Sequence, residues 1–156
     1  MARAGLGAGW TCLFANDFDP VKGEVYAANW GENDLIVDDV ANVRASMLPV
    51  HADLVWASTP CQDLSLAGNA LGLGKPNSSK RTRSGSFWPY WRLIEQLRAE
   101  GRKPRVAVFE NVIGTLSPND GADFQVVGNA FASAGYRFGA LTVRCAGSLT
   151  PTGSHH

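Results

Sequence analysis

Two short apolar runs constrain the fold of this chain more than any other feature. Asp53-Leu54-Val55-Trp56-Ala57-Ser58 and Arg105-Val106-Ala107-Val108-Phe109 are rich in β-branched and aromatic residues and too short for helices, so both read as buried strands. The first runs into Thr59-Pro60-Cys61-Gln62, the second into Glu110-Asn111-Val112 and a turn-like Ile113-Gly114. In open α/β sheets, ligands bind outside the carboxyl ends of the strands. The two runs therefore deliver a thiol, Cys61, and a carboxyl, Glu110, to one edge of one sheet. Taken alone, a free cysteine is most often a small buried hydrophobe. The second strand end is what changes that reading.

The remainder fits an α/β domain built around those strands. Of the 156 residues, 45% are hydrophobic and 18% charged, with no formal net charge, which is the balance of a single soluble core rather than of a strongly charged binding tail. No apolar run approaches the length of a membrane span, and the start does not resemble a signal peptide. The three cysteines, Cys12, Cys61 and Cys145, are too scattered for a disulfide framework or a metal knuckle. Their odd number points to a reducing cytoplasm. His51 stands alone in the interior of the chain, so a histidine metal site is not expected.

Gly5-Leu6-Gly7-Ala8-Gly9 invites a dinucleotide-binding reading. Phosphate-binding glycines must follow a strand and open a helix, and no strand precedes these. They read instead as a helix end and its cap before a strand over Trp10-Thr11-Cys12-Leu13-Phe14-Ala15. Asn16-Asp17-Phe18-Asp19-Pro20 follows, with Asp19 as a helix cap and Pro20 in the first turn of a helix to about Trp30. Leu35-Ile36-Val37 is a brief strand ending in Asp38-Asp39-Val40. Leu66 to Ser86 has no apolar period and reads as a long loop. Its Lys75, Lys80, Arg81 and Arg83 suit either a solvated surface or contact with a nucleic-acid backbone. From Ser86 to Glu100 the spacing of Phe87, Tyr90, Trp91, Ile94, Leu97 and Arg98 predicts a helix, stopped by Gly101 and Pro104. A helix over Asp123 to Gly135 and a strand over Tyr136 to Val143 complete the pattern.

Pro60-Cys61-Gln62 with Ser65 following, then Glu110-Asn111-Val112 after a helix and a strand, resemble the nucleophile and Glu-Asn-Val motifs of the C5-cytosine DNA methyltransferases. The resemblance implies a Rossmann-like, S-adenosylmethionine-dependent methyltransferase fold, truncated at both ends, with double-stranded DNA as partner and a bacterial or phage-type, nucleoid-associated setting. It makes Cys61 the nucleophile and Glu110 its partner at the N3 side of cytosine. Asp17 is expected on the ribose hydroxyls of S-adenosylmethionine and Phe18 against the adenine, with Asp39 and Val40 reading the adenine and Pro60 beside the cofactor. Gln62 and Ser65 line the path of the base, Asn111 orders the local backbone, and Arg81 and Arg83 face DNA. Family analogy also allows Phe87 to touch the cofactor.

The resemblance covers residues 1 to 143 as a partial catalytic domain. It implies that the chain begins inside the family's first helix, without the first strand and its glycine loop. In place of a Gln-Ser-Arg-Pro-Arg-like motif the chain has a divergent tail, 144 to 156, which reads as a frameshifted end, a natural truncation or, at Gly153-Ser154-His155-His156, the start of an expression tag. The target-recognition region is expected to be absent, and a second chain would supply what is missing. Related motifs serve tRNA cytosine-C5 methyltransferases, and a non-catalytic remnant or binding subunit would share the fold without the chemistry.

Overall fold

The structure is a computed structural model that describes residues 2–58, 87–111 and 122–143. Helix α1 (Ala2–Leu6) is ended by Gly7 at φ 73°, whose carbonyl accepts from the Trp10 amide at 3.3 Å. The early glycines thus finish a helix, as their position predicts. The strand expected from Trp10 begins only at Ala15: β1 is Ala15–Asp17. Its parallel partner β2, Leu35–Val37, is just as short, and among the described residues no strand pairs with Trp10 to Phe14. Between them, helix α2 (Pro20–Trp30) starts where the sequence places it: Asp19 Oδ1 accepts from the Val21 amide at 3.0 Å. Gly31, at φ 83°, ends it. A Cβ on Gly23 would stand 2.6 Å from Val37 Cγ2, so the glycine is what lets α2 lie close on the end of β2.

A polar cluster fastens α1 to this unit. The Arg3 guanidinium bonds the Tyr26 hydroxyl and, at 2.7 Å, Asp34 Oδ2, while Tyr26 donates to the same carboxylate at 3.0 Å. Cys12 Sγ lies 3.4 Å from the Tyr26 hydroxyl. Burial works against the charge of Asp34, yet bonds from Cys12, Tyr26 and its own backbone, with the charge of Arg3, hold its carboxyl below the usual range.

After β2 the chain makes two 3-10 turns, Val40–Asn42 and Ala45–Met47, before β3 (Leu54–Ser58). Then come helix α3 (Phe87–Ala99), β4 (Val106–Glu110) and helix α4 (Ala122–Ser133). β3 and β4 pair in parallel from Leu54↔Val106 to Ser58↔Glu110. Among the described residues the strands form two separate two-stranded parallel sheets, β1-β2 and β3-β4.

The core lies where α3 and α4 cover β3 and β4. Phe87 and Ile94 are 0% exposed, and Tyr90, Trp91, Val127, Phe131 and Ala134 are buried with them against Val55, Ala57, Ala107 and Phe109. Phe87 stacks on Trp91 at 5.8 Å and meets Phe109 edge-on at 5.0 Å. The expectation that Phe87 touches a cofactor is corrected here: a side chain with no exposed surface packs the core and offers no face to a ligand. Arg98, grouped with the apolar stripe by spacing, lies outside it and bonds Glu95 Oε2 at 3.1 Å.

The strand expected over Tyr136 to Val143 is also absent. The Tyr136 hydroxyl donates to the Pro104 carbonyl at 2.8 Å, and Phe138 packs on Phe124 and Phe131. Beyond them Leu141 and Val143 are 94% and 85% exposed. Ring packing anchors the start of this segment, and no described strand pairs with the rest.

All three tyrosines of the chain are pushed above their ordinary titration range. Burial is the main cause in each case. For Tyr26 the Cys12 thiol adds to it and Arg3 opposes it; Tyr136 adds to it at Tyr90, and Glu95 adds to it at Tyr136. A raised phenol contributes stability that is fully present below the unfolded value of about 10 and is lost as pH climbs above it. Alkaline titration is therefore expected to show phenolate absorbance only above that range, together with loss of helical ellipticity. Phenolate appearing near pH ~10 with the helices intact would contradict this placement of the three rings.

Candidate catalytic and cofactor site

The carboxyl ends of β1 and β2 carry one group of predicted residues. Asp17 closes β1 in register with Val37, two positions before Asp39. Asn16 locks the two ends together by donating to the carbonyls of Ile36 at 3.0 Å and Asp38 at 2.8 Å. The Asp38 amide adds a bond to the Asp17 carbonyl at 3.0 Å. Asp17 Oδ1 accepts from the Asp19 amide at 3.0 Å, which fixes its rotamer at the start of α2. Asp39 Oδ1 accepts from the Ala41 amide at 2.8 Å and so caps the first 3-10 turn, which Val40 begins.

Phe18 follows Asp17 and is 62% exposed, an unusual placement for so large an apolar ring. The Lys22 ammonium sits 5.9 Å from its centroid. The arrangement is two half-buried carboxylates at adjacent strand ends beside an open aromatic face. That set can accept hydrogen bonds from neighbouring hydroxyl or amino groups while a flat ring stacks alongside.

The ends of β3 and β4 carry the second group. Ser58 and Glu110 are the last residues of their strands and stand opposite each other, both exposed. Trp56 Nε1 donates to Ser58 Oγ at 3.1 Å. Asn111 follows at partial burial. Pro60, Cys61, Gln62, Ser65, Arg81 and Arg83 lie outside the described residues, as does the expected helix cap Ser86. Among the described residues no cluster of His, Cys, Asp and Glu could hold a metal ion, and no helix is long and apolar enough to cross a membrane.

Sequence reasoning missed three contributors to this geometry. Asn16 reads as a generic turn residue, and its role depends on β2 ending at the same level. Arg92 on α3 and Arg102 just after it drew no reading from the sequence, yet both reach carbonyls of the turn segment after Asp39. Arg92 Nη2 donates to Val43 O at 2.7 Å. Arg102 donates to Ala45 O at 2.6 Å, Pro49 O at 2.8 Å and Leu48 O at 3.3 Å. The sequence holds no signal for these contacts, which join segments far apart in the chain.

Comparison with known proteins accounts for the pattern. The profile of the C-5 cytosine-specific DNA methylase family matches residues 2–147. The type II methyltransferase M.HhaI of Haemophilus parahaemolyticus is 30% identical over 85% of this chain and 36% of its own length. The type II methyltransferase M.NgoBI of Neisseria gonorrhoeae is 30% identical over 82% and 36%. The orphan methyltransferase M.SPRI of Bacillus phage SPR is 28% identical over 87% and 28%. The chain thus spans roughly a third of the length of the curated relatives it matches. With parallel strands, intervening helices and a family match over nearly all of its residues, the chain belongs to the C-5 cytosine-specific DNA methylase family and carries part of that family's Rossmann-like fold.

Proposed function

We propose that this chain is the part of a DNA (cytosine-5)-methyltransferase catalytic domain, over residues 1 to 143, that holds the adenosine end of S-adenosylmethionine and the reactive groups for cytosine. The family match runs four residues further, to residue 147. The observation that carries the reading is the register of β3 and β4, in which Ser58 and Glu110 end side by side. Cys61 follows Ser58 by three residues, and covalent geometry alone keeps its Cα within about 11 Å of that of Ser58. The proposed nucleophile thus follows one strand end in sequence, and its carboxyl partner closes the other.

The residues at β1 and β2 fit a nucleoside. Asp17 accepts from the ribose hydroxyls, Phe18 stacks the adenine on its open face, and Asp39 with Val40 reads the adenine edge, with Pro60 nearby. When bound, the cofactor supplies an electrophilic methyl group for C5. Cytosine C5 is a poor nucleophile, so the chain's own residues must raise its electron density first. The Cys61 thiolate forms a bond to C6, and the displaced electron pair makes C5 carbanion-like. Glu110 donates a proton or a strong hydrogen bond at N3 as negative charge develops there. After C5 is methylated, its proton passes to a water molecule, the C6–S bond breaks, Cys61 leaves as thiolate, and the ring regains aromaticity as the N3 proton returns to Glu110.

C6 is out of reach inside a duplex, so the base is extruded; Gln62 and Ser65 line its path and Asn111 orders the backbone beside Glu110. Arg81 and Arg83 contact phosphates without reading sequence. The working enzyme includes further polypeptide, in keeping with the length of the relatives.

Calorimetric titration with S-adenosylmethionine, with Asp17→Ala as control, tests the cofactor half. The unmodified chain is expected to bind, and the variant to bind about tenfold or more weakly through loss of a charge-assisted pair of hydrogen bonds. A variant that binds as well overturns the role of Asp17; a folded chain that does not bind means that this polypeptide is a fragment whose site needs the rest of the enzyme.

A further inference from the structure

The turn segment from Val40 to Pro49 leads away from the proposed adenine-reading residues, and it is held from a distance. Val43, 1% exposed, and the buried Ala45 anchor it on its inner side. Their carbonyls, and those of Leu48 and Pro49, are gathered by two arginines from α3 and the turn just after it. Arg102 is the more committed of the two. Its guanidinium spans the Ala45, Leu48 and Pro49 carbonyls and is itself fixed by Glu100 Oε2 at 2.6 Å. Arg92 takes the Val43 carbonyl. Gly101, at φ 74°, ends the helix one residue before Arg102 and turns the chain there.

On its other side Asp39 follows Asp38, whose carbonyl accepts from Asn16 Nδ2 at 2.8 Å and whose amide bonds the Asp17 carbonyl at 3.0 Å. Local bonds add to this, the Asp39 amide on Asp38 Oδ1 at 2.7 Å and Asn42 Nδ2 on the same oxygen at 2.8 Å. The Asp39 carboxylate is thus placed from two sides, by Asp38 against β1 and by a short turn, Val40–Asn42, whose continuation is clamped by arginines. A guanidinium suits this task, because its rigid fork spreads several donors over neighbouring acceptors where a lysine offers one charge.

We propose that Arg102, seconded by Arg92, is a positioning residue for adenine recognition. By holding the Val43 to Pro49 backbone on α3, it fixes where Asp39 and Val40 meet the base. The proposal rests on the cofactor reading above and adds to it the residues that make that reading selective. It assigns the arginines no contact with the ligand.

The test measures selectivity rather than affinity alone. S-adenosylhomocysteine and S-inosylhomocysteine, which carries an oxygen in place of the adenine amine, are titrated into the unmodified chain, Arg102→Met, Arg102→Lys and Arg92→Met. Thermal melting without ligand records whether each variant is folded. The unmodified chain is expected to favour the adenine compound by about 10- to 100-fold, the size of a hydrogen bond to a charged acceptor made or lost. In Arg102→Met that preference is expected to shrink at least about fivefold. Arg102→Lys should recover part of it and Arg92→Met should show a smaller loss. A merely structural role weakens both ligands in parallel and leaves the ratio unchanged. An unchanged ratio in folded Arg102→Met and Arg92→Met overturns the positioning role alone. No binding or no preference in the unmodified chain overturns the cofactor reading and the positioning role with it.

Discussion

With a duplex in which every cytosine is replaced by 5-fluorocytosine, and with S-adenosylmethionine present, the chain joined to the further polypeptide of its catalytic domain is expected to form a complex that survives denaturant. Cys61→Ser is expected to form none. The fluorine stands where the departing C5 proton should be, so the step that restores the ring cannot occur and the bond between Cys61 Sγ and C6 persists. A serine hydroxyl at that position is far less nucleophilic than a thiolate. Glu110→Gln keeps the shape of the side chain and a hydrogen-bond donor but has no acidic proton to give. It should slow capture by about 10²- to 10⁴-fold, the usual scale for a general acid.

Cys12 provides an internal control. Its thiol is engaged with the Tyr26 hydroxyl and, at 3.5 Å, with the Phe14 carbonyl on the far unit, so peptide mapping should find no adduct there. An adduct in Cys61→Ser, or an adduct mapped to another cysteine, would overturn the assignment of Cys61 as nucleophile.

The largest effect on stability is expected at Phe87. Its ring is wholly buried and touches Trp88, Tyr90, Trp91 and Phe109, and it joins the start of α3 to the strand that carries Glu110. Phe87→Ala should destabilise the fold by about 3–5 kcal/mol, counting both the lost transfer energy and the cavity left behind. Since whole domains are stable by only about 5–15 kcal/mol, such a variant is close to unfolded. Leu141→Ala, at a side chain almost fully in water, should stay within about 0.5 kcal/mol. Denaturant midpoints for the two variants check this; a loss below ~1 kcal/mol at Phe87 would mean the aromatic cluster is not the core.

Much of this organisation is legible in the residues themselves. Pro20 to Trp30 reads as a helix because a capping Asp19, a first-turn proline and a closing Gly31 all agree, and the structure has that helix. Phe87 to Ala99 is legible through its apolar spacing. The strand ends at Asp17, Asp39 and Glu110 are found because short apolar runs stop there. Trp10 to Phe14 and Tyr136 to Val143 have the composition of strands, but a strand also needs a neighbour, and no local pattern reveals whether one is present. Phe87 shows the converse. Analogy allows it a ligand contact, while the apolar stripe it belongs to favours the core, where the structure has it. Arg92 and Arg102 were illegible for another reason: an arginine on carbonyls and one in water look alike until distant segments meet.

That clasp bears on how the protein assembles. Arg102 reaches back across 57 positions to Ala45, so the stretch after Asp39 cannot settle when its own neighbours β1 and β2 do. It waits for α3 to dock, because contacts of long sequence separation form only after the loop between them has closed. The β1-β2 unit and the β3-β4 unit are thus tied into one cooperative whole through a segment that belongs to the first by sequence and to the second by its bonds.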